Sequence, residues 1–189
     1  MKPGTVLAVN ACGSALGRVL AQLCTFLGIR LIAVTRNDHH TKELLELGAA
    51  SVINTEETPL RSAIMELTGG LGADAAVDMI GGGPGTELAC CVRTEGTFVT
   101  LGLLSGVPLD WAEIRRSTNA AATMFHLRHW NQTVSVQKWQ DTFRELISLI
   151  QAKNLALQPP RSRFELQKAS AAVRAAEASM RKPGKCFLM

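Results

Sequence analysis

Residues 9–19 read VNACGSALGRV. An apolar run stops there, Gly13 appears, Gly17 follows four residues later, and Ser14, Ala15 and Leu16 lie between. Glycines at such a place allow a tight bend and let backbone approach a pyrophosphate. The helix that follows offers unpaired N–H groups and the positive end of its dipole to the phosphates. Gly13, Ser14, Ala15, Leu16 and Gly17 are therefore candidate dinucleotide contacts. The full GxGxxG is absent, because position 11 is Ala. An ordinary strand–helix turn would need the same two glycines.

A second group follows at Val34-Thr35-Arg36-Asn37-Asp38. About 20 residues beyond a dinucleotide turn, an acid bonds a ribose 2′-hydroxyl, whereas an arginine accepts a 2′-phosphate. Arg36 comes first, and guanidinium–phosphate pairs are strong and often bidentate. The order predicts NADPH over NADH. The alternative leaves Arg36 as a solvated loop residue and gives the ribose to Asp38.

Other chemistry-bearing residues imply less. His126 and His129 form an HxxH; on a strand the two point to opposite faces, so no shared metal is expected. His39-His40 fits a solvated helix start. The five cysteines, Cys12, Cys24, Cys90, Cys91 and Cys186, are odd in number and form no CxxC. They read as reduced core thiols of a cytoplasmic protein and do not imply zinc. Cys12, inside the turn, is a candidate reactive thiol. Asp74 and Asp78 share one face of a predicted strand. Asp74 belongs at its exposed start; Asp78, near the carboxyl end, would approach a cofactor or cap a loop. Spacing yields no Ser/His/Asp set, so no catalytic residue and no metal ligand is assigned.

The elements that must position these residues alternate. Strands are predicted at 5–10, 30–35, 51–54, 73–80 and 96–102. Leu16, Val19, Leu20, Leu23 and Leu27 mark a helix stopped by Gly28. Further helices are predicted at 40–48, from an N-cap at Thr58 and first residue Pro59 to about Leu67, and over "TELACCV" after a break at "GGGPG". The pattern βαβαβαβαβ with short connections predicts an α/β fold of Rossmann type, a doubly wound parallel sheet that binds ligands at its strands' carboxyl ends. Beyond Gly102, "TMFHLRHW" (123–130) reads as one more strand and its exit. Trp139, Phe143, Leu146, Ile147 and Ile150 make one stripe of an amphipathic helix. A helix at 167–180 and a strand at 184–189 end the chain.

With 189 residues, 47% of them apolar, the chain suits one globular domain with an appendage. No apolar run reaches the ~20 residues of a membrane span. The N-terminus does not read as a signal peptide. The net charge of +4 is scattered, and no nucleic-acid module is recognised.

Several segments carry a resemblance: the Lys2-Pro3-Gly4 lead-in, "NACGSALG" (10–17), "VTRND" (34–38), "LLELGAASVI" (44–53), "GGGPGTELA" (81–89), "GTFVTLGLLSGVP" (96–108), "FHLRHW" (125–130) and "EASMRKPGKCFLM" (177–189). They resemble the cofactor-binding portion of the medium-chain dehydrogenase/reductase superfamily. Within it they are most similar to the NADPH-dependent 2-enoyl thioester reductases and quinone oxidoreductase-like members. The glycine turn is generic to the superfamily; "FHLRHW" is more specific. The resemblance implies NADPH, pyrophosphate contacts at Gly13 to Leu16, and a 2′-phosphate contact at Arg36. It places Leu101, Gly102, Leu103, Leu104, Phe125, His126 and Leu127 along the nicotinamide, and gives Lys185 a reach to the cofactor. Three positions depart from the family: Asp38 where a second basic residue is common, Leu101 for a tyrosine, and His126 for a tryptophan.

Family members carry a GroES-like domain before the cofactor domain. It supplies much of the substrate pocket, a tyrosine proton donor, and the metal ligands of zinc-dependent relatives. This chain begins where that domain would end and contains no tyrosine. It is thus expected to be a C-terminal portion, with a dinucleotide-binding domain at 1–155 and a segment at 156–189 that completes the catalytic domain. The implied function is hydride transfer from NADPH to an activated C=C of an enoyl thioester or to a quinone-type substrate, with little turnover by this chain alone. The alternatives are a zinc-dependent alcohol dehydrogenase fragment and a non-catalytic nucleotide-binding or interaction module. The resemblance implies a homodimer through the edge strand near 123–130, which the sequence itself does not fix; nucleic acid and membrane are not expected partners.

Overall fold

The computed structural model describes residues 1–177 and 185–189. Its strands β1 (Val6–Val9), β2 (Arg30–Thr35), β3 (Ser51–Asn54), β4 (Ala73–Asp78), β5 (Val92–Thr100) and β6 (Ala121–Met124) form one sheet. The order is β3-β2-β1-β4-β5-β6, and every neighbouring pair is parallel. The inner strands read as continuous apolar runs because both their faces are covered. Leu7, Val9, Leu31 and Ala33 pack on one side with α1 (Ala15–Phe26) and α2 (Thr41–Glu46). Ala8, Ile32, Val34 and Ile53 pack on the other with α3 (Leu60–Leu67), α4 (Gly82–Ala89) and α5 (Trp111–Ser117). The doubly wound α/β expectation holds. The strand order reverses between β1 and β4, which opens a crevice at their carboxyl ends.

The face of α1 differs from the one its leucines mark. Gly17, Arg18, Ala21 and Cys24 are buried, while Leu16 and Leu27 are exposed. The reason is a close backbone approach: a Cβ on Gly17 would collide with the main chain of Cys12. Small residues let the helix lie against the turn, and the leucines flank that contact.

Other boundaries shift as well. α3 begins at Leu60, with Pro59 in the cap position and no side-chain cap. α4 starts within the glycine run itself, at Gly82. β5 begins at Val92, and α5 is an element the sequence did not mark. In the segment 123–130, read as a strand and its exit, the strand is short and the exit is helical. β6 ends at Met124, and α6 (Leu127–Thr133) follows. Helix α7 (Val136–Gln151) carries the predicted stripe, with Trp139 stacked on Phe143 at 4.1 Å, yet none of its residues is buried.

The chain divides into two compact units, Met1–Leu155 and Ala156–Met189. In the second, β7 (Ser162–Phe164) pairs in parallel with β8 (Cys186–Leu188), and α8 (Ala169–Glu177) contacts both. Residues 178–180 of the helix predicted at 167–180, and residue 184 of the predicted terminal strand, lie outside the described residues. Among the described residues no helix is long and apolar enough to cross a membrane.

Candidate functional site

At the end of β1 the chain turns sharply. Ala11 takes a φ of 50°, a left-handed conformation that glycine adopts more readily. Ser14 caps α1, its Oγ accepting from the Gly17 N–H at 3.1 Å. Ser14, Ala15 and Leu16 are exposed at the helix start. The first turn leaves the N–H groups of Ala15 and Leu16 without intrahelical acceptors. These are the groups a phosphate would use, at the positive end of the dipole.

Behind the turn lies a charged network that the leucine pattern hid. Arg18 is buried and donates from Nε and Nη2 to the two carboxylate oxygens of Glu43, at 2.6 and 2.8 Å. Its Nη1 donates to the Gly13 carbonyl, and Nη2 lies 3.1 Å from His40 Nδ1. His40 is drawn inward, not left in a solvated helix start. Burial first, and the Arg18 charge second, hold its pKa below the ordinary histidine value. The available signal in the sequence was an arginine directly after Gly17, on the helix face that the glycine brings to the turn.

Arg36 follows β2 with its side chain 84% exposed, and its Nε is 4.0 Å from Glu56. Asp38, also exposed, lies 3.6 Å from His39. Glu56 thus lies near Arg36 without burying it.

Asp78 caps a loop. It is fully buried at the end of β4, where Asn10 Nδ2 donates to it at 2.6 Å and Thr100 Oγ1 at 3.1 Å. The N–H groups of Ile80 and Gly81 donate to the same carboxylate, and Asn10 Oδ1 accepts from Met79 N–H at 2.8 Å. This ties β1, β4 and β5 together at the crevice. Asp74, at the other end of β4, accepts from Val6 N–H and Arg93, which hold its carboxyl below the usual range.

Leu101 and Gly102 are half-buried after β5, while Leu103 and Leu104 are exposed. Their loop folds onto the one after β4 through Leu101 N–H to Asp78 O at 2.7 Å and Leu104 N–H to Met79 O at 3.3 Å. Phe125 continues from β6, its N–H bonded to Thr100 O at 3.0 Å, and Phe125, His126 and Leu127 are exposed. His126 stacks on His129 with ring centroids 4.6 Å apart at the head of α6, because the segment is helical where a strand was expected. The candidate residues from Gly13 to Leu127 thus all follow carboxyl ends of sheet strands. Lys185 belongs to the second unit, where its carbonyl accepts from Arg161 N–H at 2.9 Å.

Cys12 is not a reactive thiol. It is buried, its Sγ donates to Val9 O, and burial pushes its pKa up to about 12. Among the described residues no three His, Cys, Asp or Glu side chains gather as a metal site.

The zinc-binding dehydrogenase family model matches residues 15–152. A mitochondrial enoyl-[acyl-carrier-protein] reductase of Caenorhabditis elegans is 33% identical over 114 residues, 58% of this chain and 32% of that protein. A candidate NADPH:quinone reductase of Bacillus thuringiensis superposes with a TM-score of 0.96 at 51% identity, covering all of this chain and 57% of that one. Escherichia coli quinone oxidoreductase, solved with NADPH, has the same fold at TM-score 0.87 and 22% identity, over 100% of this chain and 58% of its own. The chain thus spans a third to somewhat over half the length of these proteins. With the family match running from the helix after the glycine turn through α7, the chain belongs to the zinc-binding dehydrogenase family of the medium-chain dehydrogenase/reductase superfamily.

Proposed function

We propose that this chain is the NADPH-binding portion of an oxidoreductase that reduces an activated C=C, as in a 2-enoyl thioester, or a quinone-type substrate. One observation carries the reading. A glycine cradle that a Cβ would fill opens onto a capped helix N-terminus at the sheet's switch point, with an exposed arginine at the end of the adjacent strand. The names of the Caenorhabditis and Bacillus relatives support the reaction class.

In this reading the backbone of Gly13, Ser14, Ala15, Leu16 and Gly17 holds the pyrophosphate, and Arg36 holds the 2′-phosphate. Leu101, Gly102, Leu103, Leu104, Phe125, His126 and Leu127 wall the nicotinamide and exclude water. Lys185 as a further contact rests on the family resemblance alone. The bound nicotinamide would supply the hydride. The Asn10–Asp78 pair keeps the two central strand ends in register beneath it. A homodimer through the open edge of β6 is part of the proposal.

Calorimetric titration with NADPH and then NADH tests it. A charge-assisted phosphate contact contributes roughly 1.5–3 kcal/mol, so NADPH should bind ~10-fold or more tighter. Arg36→Ala should remove that preference. Binding of neither cofactor, or equal binding of both, overturns the assignment.

A further inference from the structure

His40 ends the loop that follows β2, and its ring lies over Gly13. A Cβ at position 13 would stand 3.2 Å from His40 Nε2 and collide with Cδ2. The opposite edge of the ring faces the buried network. Nδ1 is 3.1 Å from Arg18 Nη2 and 3.7 Å from Glu43 Oε2. A guanidinium has donors and no acceptor, and it stays charged. Nδ1 must therefore accept from Arg18. Glu43 Oε2 is farther from Nδ1, at 3.7 Å, so the contact within hydrogen-bond distance is the one from Arg18. The neutral tautomer that results carries its proton on Nε2, the edge beside the glycine turn.

Three elements meet at this ring: Arg18 from α1, Glu43 from α2, and the loop itself with His39. Among the described residues Nε2 has no hydrogen-bond partner. Arg36 begins the same loop with its guanidinium open. The loop after the second strand is where such folds distinguish the ribose 2′-substituent.

Resting on the NADPH reading above, we propose that His40 is a second specificity-determining contact for the ribose phosphate. Its Nε2–H donates to the 2′-phosphate that Arg36 holds, and Arg18 with Glu43 is the positioning pair that fixes this tautomer. The donor is neutral, so it needs no protonation to act. Asp38, which alone would favour a free 2′-hydroxyl, is then outweighed by Arg36 and His40 on either side of it.

Two measurements test this. Long-range ¹H–¹⁵N correlation spectra of the four histidines need no cofactor. At pH 7 they should show His40 neutral and protonated on Nε2, and Arg18→Met should release that preference. An Nδ1–H tautomer or an imidazolium in the unaltered protein overturns the proposal. Titration of His40→Ala should weaken NADPH about five- to tenfold, the worth of one net hydrogen bond, and leave NADH unchanged. His40→Gln, which keeps a terminal N–H, should recover most of the loss. Equal weakening of both cofactors, or none, overturns the role of His40 while the NADPH reading stands. If the unaltered chain binds neither cofactor, both fall together.

Discussion

Ala11 takes the turn conformation that glycine adopts more readily. A left-handed φ costs an L-residue roughly 1–2 kcal/mol, and at φ 50° Ala11 is at that cost. Ala11→Gly should therefore raise stability by up to about 1 kcal/mol in denaturant unfolding, the gain reduced by the greater freedom of glycine in the unfolded chain. The thiols give a second prediction at this scale. Burial pushes Cys12 and Cys91 up to about 12 and Cys24 up to about 11. At pH 8 a thiol reagent should label only Cys90 and Cys186 in the folded protein, with the others reacting after unfolding. His40 adds a pH dependence. Unfolded, it gains a proton as pH falls through about 6.5; folded, it gains one only at lower pH. Between those values the unfolded state binds more protons, so stability drops as the pH is lowered there. The charged and titratable groups acting on it are Arg18, Glu43 and His39. His40→Gln should flatten that slope.

Among elements, the contact of α1 with the turn and the joint between β1 and β4 decide the crevice. Gly17→Ala would drive a methyl group into the Cys12 backbone. Overpacking of this kind costs about 1–3 kcal/mol, and here the strain falls on the phosphate turn, so NADPH affinity should drop together with stability. At the joint, Asp78 accepts from Asn10, Thr100, Ile80 and Gly81. Asp78→Asn would set an NH₂ against some of these donors and should cost about 1.5–3 kcal/mol by denaturant unfolding. Helix α7 shows the opposite case. Its apolar stripe is legible in the sequence, yet Trp139, Phe143 and Ile147 remain exposed. Periodicity says which face is apolar, not what covers it.

For the whole molecule, the open side of β6 is the feature with a consequence for assembly. β6 pairs with β5 on one side, and Met124 and Phe125 are exposed at its end. Unprotected sheet edges pair with other strands, and charge suppresses such pairing. The proposed homodimer should appear in sedimentation analysis, and Met124→Lys should shift it towards monomer.

The linear chain determined the sheet and the turn. Runs such as "TVLAVN" and "RLIAVT", separated by helical spacing and glycine stops, require a parallel sheet covered on both faces, whatever the finer packing. Gly13, Gly17 and Arg36 were legible because their chemistry is local: a backbone approach and an open guanidinium after a strand. What only the tertiary structure decided depends on residues far apart in the chain. Arg18, Glu43 and His40 lie 25 and 22 positions apart from first to second and first to third, and only the packing of α1 against α2 unites them. Asn10 and Asp78, 68 residues apart, meet because β1 and β4 are neighbours in the sheet. His126 changed from strand to helix head because the apolar run across Met124 and Phe125 conceals where strand pairing stops. Short-range pattern fixes what each segment can become; the identity of its buried polar partners is set by strand order and helix packing, which no local pattern encodes.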